Sequence, residues 1–258
     1  MVLENTIYKE KKMKLKLLDL FSGIGGFSLG LESTGYFETI AFVEKDKFCH
    51  EVLKKNFPNI PIESEVRNVK GENYKNTDVI TAGFPCQPFS YAGKRKGRMD
   101  DRYLWDETIR VVREVKPRWF IGENVFGIIS IEKGMVLRQV QSDLEKENYK
   151  VQCFVIPAAS VNAWHNRKRV WIIANSEHNG LHCEKGNETI ESSDQSKEWL
   201  FIRDNWKKNK SEFLGINDGL SSRVDRYRKE RIKALGNSIV PLIARQLGLA
   251  IMKAEQDG

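Results

Sequence analysis

Cys86 lies in Gly83-Phe84-Pro85-Cys86-Gln87-Pro88-Phe89-Ser90, just after the apolar run Asp78-Val79-Ile80-Thr81-Ala82. That run reads as a buried strand, and Gly83 and Pro85 interrupt it. The thiol is therefore expected on an exposed loop at the carboxyl edge of a sheet, where open α/β folds bind ligands. Access to substrate and a lowered pKa are what make a cysteine a nucleophile. A lone cysteine is more often a small buried hydrophobe, so the other residues have to decide. Glu123-Asn124-Val125 follows another apolar run, Trp119-Phe120-Ile121-Gly122, which would set a carboxylate on the same edge. Arg167-Lys168-Arg169 precedes a further strand, and arginines two apart point the same way once the strand has begun. A thiol, a carboxylate and an arginine on one edge suit covalent chemistry on a polar heterocycle. No metal is expected: His178, His182 and Cys183 have no fourth ligand nearby.

A second device stands near the N-terminus. Leu15 to Phe21 reads as a strand ending in Ser22-Gly23-Ile24-Gly25-Gly26, with a helix after it. Glycines there let a backbone approach a nucleotide, and a helix start offers unpaired N–H groups. Glu44, about twenty residues on at the end of the next strand, can accept from ribose hydroxyls. Several cofactors fit this pattern. The G-x-G-x-x-G of nicotinamide binders is missing, so an adenosine ligand without a pyrophosphate suits better, S-adenosylmethionine leading.

The elements that carry these residues alternate. Strands are expected at 15–21, 39–43, 78–82, 119–122, 151–156 and 170–174, and helices at 46–56, 103–115, 135–147 and 239–252. Such alternation predicts a doubly wound α/β fold with a mostly parallel sheet. Residues 1–13 read as a flexible arm and 14–175 as the catalytic and cofactor-binding domain. Composition turns polar near Asn175, and 176–231, bearing Trp199, Trp206 and Phe213, reads as a small insert. Residues 232–258 return to the main domain as a helix.

The 258 residues, 40% hydrophobic and 30% charged, suit one soluble globular domain, with no apolar run near the length of a membrane span. Four scattered cysteines imply no disulfide framework, which suits a reducing cytoplasm. A net charge of +7 is compatible with a polyanionic partner. Two basic runs, at 94–98 and 223–231, are candidates for phosphate contact.

With these motifs in place the chain resembles the DNA cytosine-5 methyltransferase family. Asp19-Leu20-Phe21-Ser22-Gly23-Ile24-Gly25-Gly26-Phe27 resembles its first motif, and Pro85-Cys86-Gln87 its nucleophile loop. Glu123-Asn124-Val125, Arg167-x-Arg169 and Gly236-Asn237-Ser238 match three others, all in family order. The family usually has an Asp where Glu65-Val66 stands, and most often Gln where His165-Asn166 precedes the arginines.

The resemblance implies a Rossmann-like fold and a role for each position. S-adenosylmethionine would meet Phe21, Gly23, Gly25, Gly26, Glu44, Glu65, Pro85, Asn237 and Ser238. Catalysis would fall to Cys86, Glu123, Arg167 and Arg169. The thiolate would add to carbon-6 of a cytosine and make carbon-5 nucleophilic. Glu123 would bind N3 and the 4-amino group, and Arg169 would hold O2, with Arg167 steadying a phosphate or the loop. A stacked base cannot be reached, so it must flip out. Duplex DNA would be held by Ser90, Lys94, Arg95, Arg98, Arg226 and Arg228. A monomer acting in a bacterial or phage-infected cell is expected, with a restriction endonuclease as a separate partner. Two alternatives stay open: a tRNA cytosine-5 methyltransferase of the same family, and a catalytically silent DNA-binding relative.

Overall fold

The computed structural model describes residues 14–85, 104–163, 165–176 and 228–257. Seven strands form one sheet in the order β3-β2-β1-β4-β5-β7-β6. They are β1 (Leu15–Leu20), β2 (Phe37–Val43), β3 (Ile62–Glu63), β4 (Val79–Ala82), β5 (Trp119–Val125), β6 (Tyr149–Pro157) and β7 (Lys168–Ser176). The first five pair in parallel, whereas β7 runs antiparallel to both β5 and β6. The sheet is thus mostly parallel, and the arrangement is the doubly wound α/β architecture expected from the alternation.

Both faces of the sheet are covered, which is why the central strands are apolar without alternation. Leu17 and Leu18 of β1 point to opposite faces, and neither is exposed. One core gathers Leu18, Ile80 and Phe120 under Val112 of α3 (Trp105–Val115) and Val140 of α4 (Met135–Lys146). The other joins Leu17, Ile121 and Trp171 to Phe27 of α1 (Gly26–Glu32) and Ile243 of α6 (Pro241–Asp257). Each fully buried Leu or Ile contributes about 1.5–3 kcal/mol of transfer free energy.

The helices start and stop for local reasons. Asp46 caps α2 (Lys47–Asn56), its carboxylate accepting from the Phe48 and Cys49 N–H groups at 2.9 and 3.4 Å. α3 ends at Lys116, which takes the left-handed conformation at φ 56° ahead of Pro117. Against the expectation of no run near the length of a membrane span, Lys229–Gln256 contains one by length and composition, but it is divided at residues 238–240 into α5 (Arg228–Asn237) and α6. α6 instead buries Ile243, Ala244 and Ile251. Its far end is fastened to the start of β5: Glu255 pairs with Arg118 and accepts from Trp119 Nε1 at 2.8 Å.

Three expectations need correction. Glu123 and Asn124 lie inside β5, not after it, because the strand continues through two buried polar residues. The last strand starts at Lys168, with Arg169 paired opposite Val125. Residues 232–258 are not one helix: Gly236 and Asn237 close α5, and the final helix opens at Pro241.

Candidate active site

The parallel strands β1, β2, β4 and β5 end on one edge of the sheet. Because β7 is antiparallel, its first residues lie on that same edge. This brings Arg169 to Glu123, with Nε at 2.9 Å from Oε1. Glu123 is buried, and burial pushes its carboxyl up to about 7 even though Arg169 and then Arg167 pull it down. A group balanced in this way populates both protonation states at neutral pH. Arg167 sits beside the pair, and its Nε is a buried nitrogen with no hydrogen-bond partner among the described residues. Burial and the neighbouring Arg169 lower its pKa.

Asn124, the next residue, turns to the adjacent strand. Its Nδ2 donates to the Phe84 carbonyl at 2.9 Å, and its Oδ1 accepts from Val125 N–H at 2.9 Å. The backbone just before Pro85 is thus held by the strand that carries Glu123. Sequence reasoning assigns Asn124 no role of its own, although its place within Glu123-Asn124-Val125 is a signal that could have found it. Cys86, Ser90, Lys94, Arg95, Arg98 and Arg226 lie outside the described residues, as does the side chain of Arg228. Of the two thiols that are described, Cys49 is pushed up to about 12 and Cys153 to about 11, each chiefly by burial. Both are protonated at neutral pH, so neither is a thiolate nucleophile.

The glycine turn occupies the same edge one strand away. Phe21, Gly23 and Gly25 take φ of 54°, 56° and 85°, a left-handed path that leaves the Phe21 ring half-exposed. Glu44, directly after β2, accepts from Gly23 N–H at 2.7 Å and from Asp46 N–H at 2.7 Å, one through each oxygen. His50 Nε2 contacts the Glu44 carbonyl, and Lys233 of α5 pairs with Asp46 at 2.8 Å. Glu65 follows β3 on the same edge, within 3.9 Å of Lys45 and 3.8 Å of Arg67.

Gly26 and Gly83 show how closely these parts meet. A Cβ on Gly26 would stand 2.8 Å from the Ile239 carbonyl, and one on Gly83 would stand 3.9 Å from the Phe21 carbonyl. Asn237, exposed, and Ser238, half-buried, therefore lead straight into a residue packed on the glycine turn. The described members of both predicted groups thus share one edge, with the Phe84–Pro85 backbone between the glycine turn and the Glu123–Arg169 pair.

A family model described as C-5 cytosine-specific DNA methylase matches residues 15–231. The chain is 37% identical over 169 residues to the Type II methyltransferase M.Bsp6I of Bacillus sp. (strain RFL6), covering 64% of this chain and 54% of that protein. It is 36% identical over 167 residues to the Type II methyltransferase M.HhaI of Haemophilus parahaemolyticus, covering 64% and 50%. The chain thus spans about half the length of these curated relatives. The crystal structure of the S. pombe Dnmt2 methyltransferase superposes with a TM-score of 0.64 over 93% of this chain and 99% of that one. At 16% identity that likeness concerns the fold.

Proposed function

We propose that this chain, which belongs to the C-5 cytosine-specific DNA methylase family, methylates carbon-5 of a cytosine flipped out of duplex DNA, with S-adenosylmethionine as donor. The observation that carries the reading is the buried Glu123–Arg169 pair beside the Asn124-held backbone that leads into Pro85 and Cys86. A carboxyl poised near 7 and a fixed guanidinium match the donor and acceptor edge of cytosine, and Cys86, next after Pro85 in the sequence, supplies the nucleophile.

The glycine turn fits the cofactor. A Cβ on Gly23 would meet no atom of the described residues within 4 Å, which leaves room for a ligand against the turn. Each Glu44 oxygen is already oriented by one backbone N–H and retains a lone pair, which suits the paired hydroxyls of a ribose. Phe21 offers a half-exposed ring for an adenine, with Glu65 beyond it. When bound, S-adenosylmethionine supplies an electrophilic methyl group.

The chain's own residues do the remaining work. The Cys86 sulfur adds to carbon-6, breaking the ring's aromaticity and giving carbon-5 enamine character. Protonated Glu123 donates to N3 as charge develops there, and Arg169 fixes the ring through O2. After carbon-5 has been alkylated, its proton leaves to water, the carbon–sulfur bond breaks and N3 returns its proton to Glu123, restoring the ring, the acid and the thiolate. Such modification is proposed to serve restriction–modification or phage self-protection, with any partner endonuclease acting separately.

The test uses a duplex carrying 5-fluorocytosine, because fluorine cannot depart as a proton. Wild type should accumulate a covalent adduct on a denaturing gel, and Cys86→Ser should form none while binding the cofactor within a few-fold of wild type. An active enzyme that leaves no adduct would contradict covalent catalysis. Single-turnover methylation of duplex DNA against tRNA decides the substrate, and faster transfer to tRNA would overturn the DNA assignment.

A further inference from the structure

Asp19 is a fully buried carboxyl on β1 to which the mechanism above gives no task. It holds the two halves of the site at once. Its Oδ1 accepts from Thr81 Oγ1 of β4 at 2.7 Å, and its Oδ2 accepts from Ser28 Oγ of α1 at 3.0 Å. Its backbone carbonyl accepts from Ser22 Oγ at 2.6 Å, and that hydroxyl in turn accepts from Val43 N–H at 3.2 Å. Asp19 and Thr81 are direct register partners across the parallel pair β1–β4.

The chain runs from these contacts to the chemistry in a few steps. Beyond Asp19 comes Phe21 and the glycine turn, which closes onto α1 and Ser28. Beyond Thr81 come Gly83, Phe84 and Pro85, and then Cys86. The charged group that acts on Asp19 is Glu44, whose like charge reinforces the effect of burial; Thr81 and Ser28 offset it, and the carboxyl is pushed up to about 7. Among the described residues no cation is found to compensate it. A buried acid held by two hydroxyls and the Ser28 backbone N–H is a costly way to join a helix to a strand, and a well-packed apolar trio would do so more cheaply. What the polar trio adds is direction, because hydrogen bonds fix separation and angle where apolar contacts slide.

We propose that Asp19 is a positioning residue that sets the distance between methyl donor and nucleophile, through Ser28 to the cofactor turn and through Thr81 to the nucleophile strand. This rests on the methyltransferase reading above. The two arms act on different steps, so they separate in kinetics. The Ser28 arm governs how the turn receives the cofactor, and the Thr81 arm governs how the loop meets the base.

The experiment compares Thr81→Val, Thr81→Ser, Ser28→Ala and Asp19→Asn. Cofactor affinity is measured by calorimetry without DNA, and the rate by single-turnover methylation at saturating cofactor. Misplacing reacting groups by a fraction of an ångström costs on the order of 10-fold or more in rate. Thr81→Val, of the same shape, should slow transfer by about that factor with cofactor Kd within about twofold, and Thr81→Ser should recover the rate. Ser28→Ala should raise cofactor Kd by a similar factor with the saturated rate nearly intact, and Asp19→Asn should do both. The proposal is overturned if Thr81→Val and Ser28→Ala change only the melting temperature, or change rate and affinity together in equal measure. Wild type without methylation of any cytosine substrate would instead overturn the function proposed above. The near-isosteric Thr81 and Ser28 variants report even if Asp19→Asn does not fold.

Discussion

Glu123 is the residue on which burial and charge compete most openly. Burial raises its carboxyl from an ordinary value of 4.5 to about 7, and the two arginines only moderate the rise. Between those values the folded chain holds a proton that the unfolded chain has released. This group's contribution to stability is therefore complete below about pH 4.5 and is lost as pH climbs to about 7. Glu123→Gln cannot ionise, so its melting temperature should fall less than that of wild type from pH 5 to 7.5. Parallel melting curves for the two proteins would contradict the assignment. In catalysis the same substitution keeps a hydrogen bond but cannot supply the proton. Methyl transfer should slow by roughly 10²–10⁴-fold, the range for a missing general acid–base group. DNA binding should change far less, and a fall in binding as steep as the fall in rate would make Glu123 structural.

At the scale of elements, the contact of α6 with α1 and the glycine turn separates two kinds of glycine. A Cβ on Gly30 would stand 2.2 Å from the Pro241 carbonyl and 2.7 Å from Ala244 Cβ, so the helices can pack only with hydrogen there. Gly30→Ala should cost about 1–3 kcal/mol as an overpacked contact, read as a lower melting temperature. Gly23→Ala meets open space and carries only the strain of its positive φ, about 1–2 kcal/mol, so its effect should fall mainly on cofactor affinity. A Gly23→Ala variant that loses stability while keeping wild-type cofactor affinity would contradict the distinction. How much of this is legible in the sequence follows from what each element is made of. β1, β4 and most of β5 are short runs rich in apolar residues and can be read directly. β3 has only Ile62 and Glu63, too few residues for any periodicity. Glu123 and Asn124 end the expected strand because polar residues break an apolar run, yet the hydrogen-bonded ladder to β7 continues through them. The insertion of β7 between β5 and β6 in the opposite direction is a long-range pairing with no local signature. The Glu123–Arg169 contact depends on it, so the resemblance to a family supplies what periodicity cannot. Likewise Glu44 is legible as an acid at a strand end, whereas its bond to Gly23 N–H requires the fold.

On the scale of the whole molecule, we expect chemistry and target choice to belong to different parts of the chain. The acid, the arginines and the glycine turn are borne by strands and turns of one sheet, whereas residues 176–222 are polar and carry Trp199, Trp206 and Phe213. Side chains of that kind suit base edges and phosphates more than a core. Exchanging 176–222 for the equivalent segment of a relative should change which cytosines are modified while transfer itself persists. Bisulfite sequencing of DNA from expressing cells reads the outcome, and an unchanged pattern would move specificity to the loops around Cys86. The basic run at 223–231 holds four arginines, Arg223, Arg226, Arg228 and Arg231, in a chain of net charge +7. It leads into α5, whose Lys233 reaches Asp46 beside the glycine turn. Neutralising Arg226 and Arg228 should weaken binding to all sequences alike. For every phosphate no longer neutralised, the log–log salt dependence should flatten by about 0.9. A weakening confined to one target sequence, with the salt slope unchanged, would instead make these arginines readers of bases.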